Sequence, residues 1–127
     1  MEGCFMIRIV IGGLQKDLIK KKVDETGEDR VEAVITSDFE GAKKVKAGQA
    51  DYYLGACNSG GGAALSVAIG ILGYNRCATV AKAGGRPNPQ EIEKRVQEGK
   101  IAFGMSVEAI ESTVPVLVQS LLKHSDQ

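Results

Sequence analysis

The sequence predicts a three-layer α/β domain. Its expected core is a doubly wound, five-stranded parallel sheet of flavodoxin-like order 2-1-3-4-5. Three observations carry this expectation. First, short β-type apolar runs alternate with stretches of helical spacing along the whole chain, and such alternation gives a parallel sheet with helices on both faces. Second, glycines stand where runs end, Gly12-Gly13 after a strand and Gly48, Gly73 and Gly99 after helices, as chain reversals and helix ends favour. Third, 127 residues suit one domain with its own core, and right-handed crossovers at that length lead to this order.

Residues 1–5 read as a frayed extension, with Cys4 a bystander. Met6–Ile11 is strand one. Leu14, Leu18, Ile19 and Val23 then recur at helical spacing over Leu14–Glu25. Val31–Thr36 is strand two, and Ser37 or Asp38 is the expected N-cap of a helix over Phe39–Ala47, ended by Gly48. Ala50–Leu54 is strand three and carries Tyr52 and Tyr53. The helix Ala63–Leu72 follows. Cys77–Ala81 is strand four. After the basic loop 82–89, Asn88 as N-cap and Pro89 at the first helical position open a helix to Glu98, closed by Gly99. Ile101–Gly104 is strand five. Ser106 then caps a helical segment, and Thr113-Val114-Pro115 marks a kink or restart before Val116–Lys123.

Composition excludes several classes of function. Lys and Arg total 16, as do Asp and Glu, so the formal net charge is zero and there is no basic footprint for nucleic acid. Tryptophan is absent and aromatics are 5%, too few for a stacking platform. No apolar run reaches membrane-spanning length, and the N-terminus lacks the order of a signal peptide. The three cysteines are odd in number and lack metal-type spacing. The expectation is a cytoplasmic protein with reduced thiols and no cofactor or metal.

The chemistry concentrates in Gly55-Ala56-Cys57-Asn58-Ser59-Gly60-Gly61-Gly62, between strand three and an apolar helix. Glycines let backbone N–H groups face a ligand, and the helix start adds its unpaired donors and dipole. In the predicted order, strands one and three flank the switch point, where ligands bind outside the strand carboxyl ends. Gly12, Gly13, Asn58, Ser59, Gly60, Gly61 and Gly62 are therefore the expected anion cradle. Lys82 and Arg86 supply counter-charge from the strand-four loop. Cys57, a thiol before a helix N-terminus, is the candidate base or nucleophile. Each has a plainer alternative: a tight turn for the glycines, core filling for Cys57, a solvated loop for Lys82 and Arg86. Cys77 reads as core, Ser106 as a cap, and His124 as a solvated tail residue. Asp38 and Glu108 are the acids near strand carboxyl ends, and helix N-terminal charge preference explains both. No Ser-His-Asp triad, carboxylate pair or metal cluster assembles.

The segment Val45–Ser66 is similar to part of the ribose-5-phosphate isomerase B and galactose-6-phosphate isomerase family, whose motif is Cys-Gly-Thr-Gly-x-Gly. Cys57 matches its cysteine, Asn58 falls at the first glycine, Ser59 at the threonine, and Gly60 and Gly62 at the later glycines. The resemblance implies a thiol base for enediol isomerisation and a loop that holds the oxyanion. Where that family has Asp-His after strand one, this chain has Gly12-Gly13-Leu14, and His124 is its sole histidine. From Met6 to Leu122 the chain resembles the uncharacterised YhfU-like bacterial family. The match runs through Gly13–Gln15, Val45–Tyr53, Gly55–Asn58 and Ala102–Glu108. It implies a bacterial cytosolic protein and no particular activity.

The expected function is binding of a small anionic metabolite, a sugar phosphate, with isomerase-like use of Cys57. The alternatives are a phosphoryl carrier on Cys57, resembling the B components of sugar phosphotransferase systems, and a regulatory or scaffold subunit. The helix Ala63–Leu72 has no charged residue, and Ser66 is its only polar side chain. A helix apolar all round is buried all round, so a homodimer with Val67 and Ile71 at its interface is expected.

Overall fold

Three central strands buried on both faces and two half-exposed edge strands build the sheet. The computed structural model describes residues 6–58 and 62–127. Its strands are β1 (Ile7–Gly13), β2 (Val31–Ile35), β3 (Tyr52–Cys57), β4 (Cys77–Ala81) and β5 (Ala102–Ser106). The helices are α1 (Lys16–Gly27), α2 (Asp38–Lys46), α3 (Gly62–Leu72), α4 (Pro89–Gln97) and α5 (Ile110–Ser125). All strand pairs are parallel. Because successive strand residues face opposite sides, Ile9, Ile11, Leu54, Phe103 and Met105 pack with α1, α4 and α5. Val10, Tyr53 and Ala102 pack with α2 and α3 on the other face.

The strand order is β2-β1-β3-β5-β4, which corrects the expected 2-1-3-4-5. The last two strands are exchanged. Every residue of β5 is buried, as a strand covered on both faces and paired on both edges must be. β4 leaves Thr79 exposed and Ala78 and Val80 half-buried, as an edge strand tolerates. The exchange also explains the side taken by α4. A right-handed crossover that steps back from β4 toward β3 lays its helix on the opposite face from a forward step. Accordingly, Ile92 and Val96 of α4 join the α1/α5 core.

Local signals hold at most element ends. Ser37 caps α2 by accepting from the Glu40 N–H at 3.0 Å, and Asn88 caps α4 by accepting from Gln90 and Glu91. Gly48 and Gly99 close helices at φ +79° and +94°, a region that favours glycine. β1 and β3 run past their expected ends because they support each other. Gly12 pairs with Gly55 and Gly13 with Ala56, while β5 pairs Cys57 with Ser106. Cys57 is thus the last residue of a strand, not part of the following loop.

Three further expectations are corrected. α5 runs through Pro115 without the restart that was one of the two expected outcomes, with Val114, Leu117, Val118 and Leu121 fully buried around it. Core packing on both sides of the proline outweighs the one helical bond it forgoes. His124 sits half-buried in the last turn of α5, so it is not a frayed tail residue. α3 does have a further layer beside it within the chain. α2 packs against it, Ala64 is buried, and Ile69, Ile71 and Leu72 rest on the core. Cys4 and the 1–5 extension lie outside the described residues.

Candidate functional site

Tyr53 anchors the site. It shares the α2/α3 face of β3 with Gly55 and Cys57, and its side chain is fully buried. Glycines make room for its ring. A Cβ on Gly12 would stand 2.6 Å from the Tyr53 hydroxyl oxygen, and one on Gly55 2.7 Å from it. A Cβ on Gly41 of α2 would stand 3.1 Å from the ring. Held in this slot, the hydroxyl reaches the carboxyl end of the sheet. It donates to Asp38 Oδ1 at 2.9 Å, with the Ala64 carbonyl a second acceptor at 3.2 Å. A phenol has one proton to give, and the charged, nearer acceptor is the stronger. Burial first, and then the Asp38 hydrogen bond and charge, push the Tyr53 phenol far above its ordinary value. It therefore stays a protonated donor.

Asp38 opens α2, but Ser37 does the capping. The Asp38 carboxylate instead turns to the β1 loop, where Oδ1 also accepts from the Gly13 N–H at 2.6 Å. Gly13 sits at φ +73°, so close to β3 that a Cβ would meet the Ala56 backbone. The next N–H, of Leu14, donates to the Ala56 carbonyl at 2.8 Å.

Beyond these bonds, Gly13, Leu14, Asp38, Ala56, Cys57, Asn58, Ala63 and Ala64 line a cavity of about 410 Å³. It lies outside the carboxyl ends of the neighbouring strands β1 and β3, as the switch-point rule requires, and its volume falls in the small-molecule range of ~300–1,000 Å³. Cys57, 7% exposed, lines this space together with Asn58 and Asp38. A larger cavity, of about 540 Å³, opens at the amino end of the sheet beside Arg8 and Asp51. There the guanidinium is already tied to Asp51 and to the Gly48 carbonyl, so its polar groups satisfy one another.

The family model described as protein of unknown function DUF2620 matches residues 7–121. The chain belongs to this family. It is 48% identical over 116 residues to the uncharacterized protein YhfU of Escherichia coli K12, covering 91% of this chain and 99% of the relative. The uncharacterized protein YhfU of Shigella flexneri matches to the same extent.

In this DUF2620 protein the structure unites some expected site residues and separates others. Gly13, Cys57 and Asn58 line one cavity. Gly12 faces the Tyr53 ring and makes space for it. Gly13 offers no open donor, because its N–H is held by Asp38. Ser59, Gly60 and Gly61 lie outside the described residues. Gly62 opens α3 and lines a different cleft, with Lys82, Thr79, Arg95 and Lys100. There Lys100 is engaged by the Asn75 carbonyl and Arg95 by Glu91 and Glu98. The exchanged strand order explains the separation, since β5 lies between β3 and β4, the strand that Lys82 follows. Arg86 is exposed in the loop beyond, which Glu108 tethers by accepting from the Gly84 N–H at 2.6 Å.

Cys77 is core, as expected. It is buried against α3, and burial pushes its thiol upward against the opposing pull of Lys100 and Arg76. Asp38 and Tyr53 were not among the expected site residues. The available signal was Tyr53 two residues before Gly55, opposite a strand ending in Gly12-Gly13. Among the described residues no cluster of His, Cys, Asp and Glu could hold a metal ion, and no helix is long and apolar enough to cross a membrane.

Proposed function

We propose that this DUF2620 protein binds a small anionic metabolite, a sugar phosphate, at the β1/β3 switch point in the bacterial cytoplasm. The observation that carries the reading is convergence. The β1 loop, the start of α2, the end of β3 and the first turn of α3 meet around one cavity lined by Asp38, Cys57 and Asn58. A sugar phosphate matches both chemistries. Its anion suits the Asn58 amide and the first turn of α3 at Ala63 and Ala64, and its hydroxyls suit a carboxylate. Cys57 stands at the wall as the base of an isomerase-like proton transfer, a role supported by its place at a strand end shortly before a helix N-terminus, where a thiol can be activated. The carrier reading fits less well, because a phosphoryl carrier must present its sulfur to a partner protein and Cys57 keeps 7% of its surface.

The test is a thermal-shift titration with fructose 6-phosphate, ribose 5-phosphate, inorganic phosphate and unphosphorylated fructose. A ligand that binds only the folded chain raises the melting temperature in proportion to the logarithm of its concentration. The expected result is a shift with the phosphate esters and none with fructose. No shift with any ester at millimolar concentration defeats the reading.

Pairing of two chains through α3 is a separate proposal. Gly62, Ser66 and Gly70 form an exposed stripe at four-residue spacing, flanked by the half-buried Val67 and Ile71.

A further inference from the structure

The two oxygens of Asp38 are in different situations. Oδ1 accepts both the Gly13 N–H and the Tyr53 hydroxyl. Oδ2 accepts from no group among the described residues, and the residue lines the 410 Å³ cavity. The carboxylate is also immobilised. One partner is backbone, and the other is a buried ring wedged between Gly12, Gly55 and Gly41. An ionised carboxylate accepts hydrogen bonds and donates none. A fixed acceptor of this kind recognises a hydroxyl without reorganisation, and it opposes a second anion placed beside it.

We infer that Asp38 is the specificity-determining residue of this cavity. Its Oδ2 accepts a hydrogen bond from a ligand hydroxyl, so the site selects sugar monophosphates and rejects bisphosphates and diacids. Tyr53 is a positioning residue that holds the carboxylate in place. The inference rests on the sugar-phosphate reading above and narrows it to one ligand class. The N–H groups of Gly13 and Leu14 cannot soften the rejection, because Asp38 and Ala56 already hold them.

A matched pair of probes tests this, fructose 6-phosphate and fructose 1,6-bisphosphate, titrated calorimetrically against the parent and Asp38→Asn. Asparagine keeps the Oδ1 acceptor for Gly13 and Tyr53 and replaces the charged Oδ2 by a neutral donor. The parent should prefer the monophosphate by ~tenfold or more, the scale of one strong charge-assisted contact. Asp38→Asn should lose or invert that preference while keeping the parent's far-UV circular dichroism. A parent that binds the bisphosphate as tightly as the monophosphate overturns the inference yet leaves the sugar-phosphate reading standing, as does an unchanged preference in Asp38→Asn. A parent that binds neither probe overturns the inference, and one that also fails to bind ribose 5-phosphate overturns the sugar-phosphate reading with it. Should Asp38→Asn fail to fold, the parent's own ratio still decides, because it requires no variant.

Discussion

The Tyr53 hydroxyl donates to Asp38 Oδ1 across 2.9 Å, joining the strand that ends at Cys57 to the first residue of α2. This bond fixes the position of the one acid in the switch-point cavity. It also ties core to site, because the same ring fills the slot that Gly12, Gly55 and Gly41 leave open.

Tyr53→Phe should fill the slot and lose the bond. Removing one partner from a charged, half-buried acceptor costs about 1.5–3 kcal/mol, to be read from denaturant midpoints at unchanged slope. The pH dependence has a definite sign. The folded phenol titrates far above its ordinary value of 10.0, so above that pH the unfolded chain releases a proton that the folded chain retains. Stability is therefore fully present below about pH 10 and falls as pH rises beyond it. Tyr52, raised by burial and by Asp51, contributes in the same direction. Tyr53→Phe should flatten part of the alkaline slope, and an unchanged slope would show that Tyr53 is not the group responsible.

The slot predicts a coupling between residues. Gly55→Ala would place a methyl 2.7 Å from the Tyr53 hydroxyl oxygen but 3.1 Å from both the ring and Ala64 Cβ. Overpacking of this kind costs about 1–3 kcal/mol. In a Tyr53→Phe background the nearest atom is gone, so the cost of Gly55→Ala should shrink by about 0.5 kcal/mol or more in a double-mutant cycle. Additive costs would mean that the strain lies elsewhere. Gly13→Ala should be worse than either, because its methyl meets the Ala56 backbone at φ +73°, where neither strand can give way.

These relationships mark where the sequence was legible. Five parallel strands, their helices and most caps follow from periodicity and from Ser37, Asn88, Gly48 and Gly99, because such signals are local. The exchange of β4 and β5 left little local trace. Both are short apolar runs, and what separates them is burial on two faces, visible in Thr79 only once its neighbours are known. Cys57 and Asn58 were legible as neighbours of a cavity because the glycines after them mark a loop. Asp38 was not, because an acid at the start of a helix has a sufficient local explanation in the helix dipole. Its actual partners, Gly13 and Tyr53, lie 25 and 15 residues away.

If two chains pair through α3, charge on its outer stripe should separate them. Val67→Glu places a charge where half-buried apolar surface would meet its copy, and Ser66→Lys places one on the exposed stripe beside it. The parent should sediment as a dimer at micromolar concentration and both variants as monomers with unchanged circular dichroism. Since α2 already covers part of α3, a monomeric parent across that range would mean that the cover within one chain suffices.

Cys57 offers the sharpest division between chemistry and packing. It is buried at the end of β3 beside Ser106, where a thiol serves equally as a small core residue or as a wall of the cavity. An isomerase base must remove a carbon-bound proton next to a carbonyl and return one from solvent. Fructose 6-phosphate incubated with the parent in heavy water should therefore gain deuterium at C1, visible by proton magnetic resonance. Cys57→Ser keeps size and burial but replaces the thiol by a hydroxyl, a much weaker acid. It should bind the sugar within ~2-fold of the parent, as a wall residue would, and lose the exchange by ~10²-fold or more, the share of a positioned base. Equal exchange in both proteins would assign the base elsewhere. Binding without exchange in either would leave Cys57 a packing residue of a binding protein.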